Sequence, residues 1–115
     1  MTLQELFEEL AGSRSLPAGS VIFEAGDAGD EMYLIREGEV EIRTGERVLR
    51  TLGPGDLFGE MALISKQPRS ATAVARTDCI LLPVDERRFL FLVQQSPYFS
   101  LHVMETLAAR LRSLS

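Results

Sequence analysis

Apolar residues recur at helical spacing at both ends of the chain and at alternating spacing through its middle. Near the N-terminus they occupy positions i, i+3, i+4 and i+7 of one helix face: Leu3, Leu6, Phe7 and Leu10. This spacing predicts an amphipathic helix over residues 2–10. Gly12 follows closely and is typical of a residue that ends a helix.

Between residues 13 and 85 the pattern changes to short apolar runs separated by turns. Val40 and Ile42 alternate with charged residues, as expected of a strand with one buried face. Gly45-Glu46 is typical of a hairpin turn. Further strands are predicted at residues 21–23, 32–35, 48–52, 70–75 and 79–84. Because turn residues recur about every 8 to 12 positions, we expect a closed or two-layer antiparallel β-structure over residues 13–85.

The residues after 85 return to helical spacing. Asp85 is a suitable N-cap for a helix over residues 86–95, which Ser96 and Pro97 end. Pro97 also suits the start of a second helix, predicted over 98–113. We expect core or helix-packing residues on the first helix and an apolar stripe on the second: Phe89, Phe91, Leu92 and Val93, then Val103, Leu107, Leu111 and Leu114. One domain covering residues 1–115 accounts for the whole pattern.

Charge and composition exclude several classes of function. The formal charge of −5 disfavours nucleic acid and anionic membranes as partners, and an anionic ligand would need a local positive site. Neither a signal core nor an apolar stretch of the ~20 residues that span a bilayer is present. The single cysteine, Cys79, lies in an apolar run typical of a buried thiol, which fits a reducing, cytoplasmic location. One histidine is too few for a metalloenzyme on such a β-structure, so we predict no metal site. No catalytic residue and no cofactor are predicted either.

A glycine turn, a short helix and an arginine follow one another between residues 55 and 72. A helix N-terminus offers unpaired N–H groups, and Gly59 allows a ligand to approach the backbone closely. Arg69 offers a planar fork of donors that matches two phosphate oxygens. Glu60 would repel a phosphate, but its carboxylate would accept a hydrogen bond from a sugar hydroxyl. These residue types predict a ligand with a phosphate and a free hydroxyl on one sugar, such as a ribose 3′,5′-cyclic phosphate.

The same stretch resembles the phosphate-binding cassette of the cyclic-nucleotide-binding family. That family includes the regulatory subunits of cyclic-nucleotide-dependent kinases, nucleotide-gated channels and the bacterial catabolite activator. Residues 58–63 (Phe-Gly-Glu-Met-Ala-Leu) and 68–72 (Pro-Arg-Ser-Ala-Thr) are similar to its Phe-Gly-Glu-x-Ala-Leu and Pro-Arg-x-Ala-Thr runs. Residues 26–35 and 38–40 resemble its Gly-Asp-x-Gly-Asp-x-x-Tyr-x-Ile and Gly-x-Val signatures. Ala73 departs from the family, which usually has valine there.

The resemblance implies a fold and a set of binding residues. The fold is mainly β: a double-stranded β-helix, or jelly-roll-like β-roll, with one N-terminal helix, two C-terminal helices and a short cassette helix. Arg69 and backbone N–H groups near residues 61, 62 and 71 would bind the phosphate, and Glu60 the ribose 2′-hydroxyl. Ser70 would lie near phosphate or base, and apolar residues would line the base. The implied ligand-binding residues are Val48, Leu49, Phe58, Gly59, Glu60, Met61, Ala62, Arg69, Ser70 and Ala71.

The function expected from this resemblance is a regulatory sensor of a cyclic nucleotide, without an effector domain of its own, and not an enzyme. Analogy favours cAMP, with cGMP as the alternative ligand. A degenerate roll used for protein interaction or dimerisation is the second hypothesis, against which the retained Glu60 and Arg69 argue. The last helix ends early relative to family members whose extended helix caps the base, so a cap would be absent or come from a partner chain. The expected protein partner is a second copy, through the C-terminal helix, or an effector protein.

Other residues have ordinary structural interpretations. The glycines at 26, 29, 38, 45, 53 and 55 are expected to be turn residues only. His102 is interpreted as a surface residue or one whose hydrogen-bonding groups are satisfied. The remaining helical cations are interpreted as solvated charges: Arg87, Arg88, Arg110 and Arg112.

Overall fold

A computed structural model of the chain describes residues 5, 8, 9 and 12–113. Within 12–113, the strands and helices in chain order are β1 (Arg14–Leu16), β2 (Val21–Phe23), β3 (Glu31–Glu37), β4 (Val40–Thr44), β5 (Arg47–Leu52), β6 (Leu57–Phe58), α1 (Met61–Ile64), β7 (Thr72–Ala75), β8 (Cys79–Asp85), α2 (Glu86–Gln95) and α3 (Pro97–Ser113). Most of the helix predicted over residues 2–10 lies outside the described residues, as does Leu114.

Two antiparallel four-stranded sheets form the roll. One has the strand order β1-β8-β3-β6 and the other β2-β7-β4-β5. The side chains between them form a core cluster with members from both sheets: Tyr33, Ile35, Val40, Phe58, Ala73, Ala75, Cys79 and Leu81. Ala73, where the family usually has valine, is fully buried in this cluster. The predicted mainly β fold with flanking helices is confirmed, and the thiol of Cys79 is buried as expected.

Strand β3 is buried on both faces, which explains its unbroken apolar run. Tyr33 and Ile35 point into the roll, whereas Met32 and Leu34 point to the opposite side, because side chains alternate along a strand. The second side is covered by the C-terminal helices, and the cluster there includes Leu92 and residues of α3 such as Phe99 and Val103. Strand β3 therefore contributes side chains both to the core of the roll and to the contact between the roll and the C-terminal helices.

Local signals set the bounds of the C-terminal helices. The Oδ1 of Asp85 accepts a hydrogen bond from the backbone N–H of Arg88 at 2.9 Å, and α2 covers the predicted residues 86–95. Pro97 begins α3, one residue before the predicted start. Of the residues expected to be core or helix-packing, Leu92 is fully buried, whereas Phe91 and Val93 are 43% and 41% exposed and do not belong to the core. Leu111, at one end of the apolar stripe of α3, is also exposed. No described helix has both the length and the hydropathy needed to cross a bilayer.

The β4–β5 hairpin contains a β-bulge. Ile42 pairs with Arg50, but the next residue of β4, Arg43, pairs with Val48, so that Leu49 has no partner in the ladder. An extra residue in one strand bends that strand and changes the direction of its side chains. The alternation of side chains between the two faces of β5 is therefore broken at Leu49.

Candidate functional site

A cavity, called here the α1 cavity, opens between β2, the β4–β5 hairpin, β6, α1, the loop after α1 and α3. Its lining residues are Phe23, Ile42, Leu49, Arg50, Phe58, Gly59, Met61, Ala62, Pro68, Arg69, Ser70, Ala71 and Arg110. Most of the residues predicted to bind a ligand are thus brought together there. Val48 and Glu60 are the two that do not line it.

Arg69 is held against the wall of the α1 cavity. Its side chain is almost fully buried, with Nη1 donating to the carbonyl of Gly59 at 2.9 Å and Nη2 to that of Glu31 at 2.7 Å. Its guanidinium carbon lies 4.1 Å from the ring centroid of Phe23, a cation–π distance. Its Nε is buried without a hydrogen-bond partner among the described residues. No described carboxylate forms an ion pair with it, and its hydrogen-bond acceptors in the described part of the chain are the two backbone carbonyls.

The turn after β2 fixes the backbone of Arg69. The N–H of Arg69 donates to the carbonyl of Asp27 at 2.8 Å, and the N–H of Gly26 donates to the carbonyl of Arg69 at 2.7 Å. Asp27, Asp30 and Glu31 lie close enough for their charges to raise the pKa of Arg69. Burial acts in the opposite direction and is the larger effect, so the pKa of Arg69 is lowered. The negative charge of an anion in the cavity would compensate for the hydration that the guanidinium loses on burial.

Two glycines leave room for the guanidinium. A Cβ on Gly29 would lie 2.8 Å from Nη2 of Arg69 and closer still to Nε, and a Cβ on Gly59 would lie 2.8 Å from Nη1. Gly59 also has a φ of 80°, which favours glycine. Gly29 has no such backbone requirement. The expectation that it is a turn residue only is therefore wrong, because its lack of a side chain makes space for Arg69.

Glu60 is fully buried and forms an ion pair with Arg110, the last residue but three of α3. Arg110 also donates to the carbonyl of Leu57 at 3.1 Å. Burial, followed by the charge of Arg50, lowers the pKa of Arg110 to about 10, so the guanidinium remains charged near neutral pH. The interpretation of Arg110 as a solvated charge is wrong; Arg112 is exposed as expected.

The second carboxylate oxygen of Glu60, Oε2, has no hydrogen-bond partner in the described part of the chain. The side chain does not cap α1, although Glu60 occupies the N-cap position. Its backbone carbonyl instead accepts from the N–H groups of Leu63 and Ile64, both at 3.0 Å. The N–H groups of Met61 and Ala62, which open the helix, have no intrahelical acceptor.

The bulge explains which residues of β5 reach the cavity. Leu49 and Arg50 both line it although they are consecutive, because the extra residue Leu49 breaks the alternation. Val48 does not line it and is 44% exposed. Arg50 was missed by sequence analysis because regular alternation would place it on the opposite face from Leu49.

Comparison with known proteins assigns the chain to a family. The family model described as the cyclic nucleotide-binding domain matches residues 13–96. The chain belongs to the cyclic nucleotide-binding domain family. This assignment agrees with the resemblance carried by residues 26–40 and 58–72.

Similar proteins include a receptor protein and a catabolite activator protein. The chain is 42% identical over 104 residues to a cyclic AMP receptor protein of Thermus thermophilus, which covers 86% of this chain and 48% of that protein. The crystal structure of the Thermus thermophilus catabolite activator protein superposes with a TM-score of 0.84 and 38% identity, over 96% of this chain and 55% of the other. A structure from a cyclic-GMP-dependent signalling pathway of bacterial phytopathogenesis has a TM-score of 0.80 and 32% identity, over 98% and 95% of the two chains. The chain spans 23% to 48% of the first curated relatives that it matches.

Two further predictions concern the side chain of His102 and metal binding. His102 lies on α3 with its Nε2 2.9 Å from the carbonyl of Gly55, which confirms that it is satisfied by a hydrogen bond. Within the described residues, no three His, Cys, Asp or Glu side chains are placed to hold a metal ion.

Proposed function

We propose that this cyclic nucleotide-binding domain is a sensor that binds a ribose 3′,5′-cyclic phosphate in the α1 cavity. The observation that carries the proposal is the state of Arg69: a buried cation that lines the cavity, has no described carboxylate partner and keeps one donor unused. A charge removed from water in this way is unfavourable unless an anion pairs with it. A cyclic phosphate supplies one negative charge and acceptor oxygens.

The phosphate would lie between Arg69 and the start of α1. In this arrangement the N–H groups of Met61 and Ala62 donate to phosphate oxygens, and the backbone around Ala71, which also lines the cavity, completes the site. The ribose would extend toward Glu60, whose Oε2 is a buried acceptor without a described donor. A free 2′-hydroxyl provides that donor. Glu60 lies between Gly59 and Met61, which both line the cavity.

Binding would be transmitted to helix α3 through Arg110. This residue lines the cavity and pairs with Glu60, so the proposed ribose acceptor and the C-terminal helix share one ion pair. A ligand shifts a conformational equilibrium only through different affinities for the two states. A hydroxyl bonded to Glu60 changes the environment of Arg110 and thereby the contact between α3 and the roll. We propose this regulatory role rather than catalysis.

The identity of the base is a separate question. The relatives include a protein named for cyclic AMP and a structure from a cyclic-GMP pathway. The expectation of cAMP rests on analogy with cAMP-binding members of the family. Both nucleotides are therefore used in the test.

The experiment is isothermal titration of the purified chain with cAMP and cGMP, together with thermal unfolding at the same ligand concentrations. At about 100 times the dissociation constant a ligand adds ~2.7 kcal/mol to the free energy of unfolding, which a melting curve resolves. Ribose 5′-phosphate, which lacks the fused phosphodiester ring, is the control. Absence of both heat and thermal shift at millimolar cyclic nucleotide overturns the proposal.

A dimerisation module is the second candidate function, and the surface of α3 favours it. Leu101, Met104 and Leu111 are 51%, 59% and 66% exposed. Their spacing matches the a and d positions of a heptad, the seam of a two-stranded coiled coil. A second copy of α3 would cover this stripe. Light scattering of the wild type and of Met104→Glu tests the idea; a wild type that stays monomeric at high micromolar concentration contradicts it.

A further inference from the structure

Strand β2 contains a β-bulge that turns Phe23 toward the α1 cavity. Val21 pairs with Val74 of β7, but Phe23 pairs with Ala73, the next residue of that strand, so Ile22 is the inserted residue. In a regular strand, residues 21 and 23 would lie on the same face of the sheet. The bulge separates them: Val21 is exposed, whereas Phe23 is half-buried and lines the cavity.

The ring of Phe23 packs against two aromatic rings of the core and against Arg69. Its centroid is 6.3 Å from that of Tyr33 and 6.0 Å from that of Phe58, and both rings belong to the core cluster of the roll. The guanidinium carbon of Arg69 lies over the same ring, 4.1 Å from its centroid. Because its aromatic neighbours restrict its movement, the ring is a rigid support for the cation.

Two kinds of contact hold the guanidinium of Arg69, and they act in different directions. The carbonyls of Gly59 and Glu31 accept hydrogen bonds from Nη1 and Nη2, and the N–H bonds of a guanidinium lie in its plane. The ring of Phe23 instead contacts the central carbon of the group. The face of an aromatic ring carries negative charge density that attracts a cation. The hydrogen bonds therefore do not replace the contact with the ring.

Nearby carboxylates offer Arg69 an alternative position. The charges of Glu31, Asp30 and Asp27 act on Arg69, although none of the three forms an ion pair with it. An arginine side chain has many rotamers, so a guanidinium released from the ring would spend part of its time beside these carboxylates. An arginine paired in that way is not available to a phosphate. The apparent affinity for a ligand falls in proportion to the fraction of molecules that are competent to bind.

We propose that Phe23 is a positioning residue: through a cation–π contact it holds the guanidinium of Arg69 at the wall of the α1 cavity and thereby sets the affinity for the cyclic phosphate. This inference rests on the proposed function. Phe23 acts through Arg69 rather than on the ligand, because the negative face of the ring does not attract a phosphate.

The test changes the charge distribution of the ring and keeps its shape nearly constant. Position 23 is replaced by 4-fluoro-, 3,5-difluoro- and 3,4,5-trifluorophenylalanine through suppression of a stop codon, and each protein is titrated with cAMP and cGMP. Each fluorine withdraws electron density from the face of the ring and weakens its attraction for a cation. We expect the dissociation constant to rise stepwise, by about 3- to 30-fold with the trifluorinated ring.

Substitutions with natural residues supply the comparison. Phe23→Leu keeps an apolar side chain without a ring and should weaken binding over the same range, whereas Phe23→Tyr keeps the aromatic face and should bind as the wild type does. The matched control is the same fluorinated series at Phe89, a partly buried phenylalanine of α2 that packs edge-on against Phe99 and does not line the α1 cavity. Fluorination there should leave the dissociation constant unchanged.

The sign of the response separates this inference from its alternatives. A dissociation constant that stays constant along the series would show that Phe23 contributes packing only, and one that falls would show that the ring contacts the anion. Either result overturns the inference and leaves the sensor function standing. If the wild type binds neither nucleotide, both proposals fall. Thermal unfolding without ligand identifies any variant that does not fold, and the fluorinated series then decides in place of Phe23→Leu.

Discussion

Gly29 contacts the guanidinium of Arg69 so closely that residue 29 has no room for a side chain. Gly29→Ala would push the end of Arg69 away from the carbonyls of Gly59 and Glu31. Because the atoms that must move belong to a flexible side chain, we expect a small loss of stability and at least a tenfold loss of cyclic-nucleotide affinity. Titration and thermal unfolding measure the two effects separately. Gly53→Ala is the control, since a Cβ there has no neighbour within 4 Å.

Removal of the Arg69 side chain should abolish the phosphate contact. Each charge-assisted hydrogen bond contributes roughly 1.5–3 kcal/mol, so Arg69→Ala is expected to weaken binding by about 10- to 150-fold or more. The control is Arg76→Ala, which removes an exposed arginine paired with Glu39 outside the cavity. Equal affinities of wild type and Arg69→Ala in isothermal titration would refute the role assigned to this residue.

The ion pair between Glu60 and Arg110 makes a prediction about stability. Arg110→Ala leaves the fully buried carboxylate of Glu60 without its cation, a change that costs about 3 kcal/mol or more when one partner of a buried pair is removed. Urea unfolding should show this loss. Arg112→Ala, an exposed arginine on the same helix, should change the free energy of unfolding by less than about 0.5 kcal/mol.

A double substitution distinguishes charge from packing at this position. Glu60→Gln combined with Arg110→Met removes both charges and keeps similar side-chain volumes. It should recover most of the stability lost in Arg110→Ala, because no uncompensated charge remains. It should not recover nucleotide affinity, since the proposed ribose acceptor is changed. Similar unfolding curves for Arg110→Ala and Arg112→Ala would show that the pair does not stabilise the fold.

Tyr33 should make the stability fall at alkaline pH. Its hydroxyl donates to Oε1 of Glu31 at 2.8 Å, and burial, followed by this hydrogen bond, raises the pKa of Tyr33 from 10.0 to about 12. A phenol with a raised pKa in the folded state contributes stability below pH 10 that is lost as the pH rises from 10 to 12. We expect a loss on the order of 2 kcal/mol over this range, measured by urea unfolding at each pH.

Tyr33→Phe is the control for this pH dependence. Phenylalanine retains the stacked ring contact with Phe58, whose centroid lies 5.1 Å from that of Tyr33, and it cannot ionise. The stability of this variant should therefore vary less between pH 10 and 12. An unchanged slope would assign the alkaline transition to another group.

The parts of the fold that sequence analysis predicted are those with local signals. Helix α2 has the predicted bounds because Asp85 caps it and Pro97 follows it. Strands β2, β4 and β5 were located by their alternation and by turn residues. Strand β6 was not predicted, because its two residues are both buried and are too few to show a period.

The parts of the site that sequence analysis missed depend on distant or irregular contacts. Arg110 finds its partner Glu60 fifty positions earlier in the chain, and a helical pattern shows only a charge on a helix face. Gly29 matters through the space taken by Arg69, which no local rule reveals. Arg50 reaches the cavity because of a bulge, and periodicity assumes that no residue is inserted.

The walls of the α1 cavity come from positions as far apart as Phe23 and Arg110. They belong to one hairpin, two further strands, a short helix, a loop and the final helix, so no short contiguous fragment contains them all. A nucleotide that needs every wall can stabilise only the completely assembled chain, and partly unfolded forms gain nothing from it. Saturation with ligand should therefore slow the hydrogen exchange that occurs through local opening of α3 by the same factor as the exchange that occurs through global unfolding. The amides that exchange fastest and those that exchange slowest in the free domain should gain equal protection.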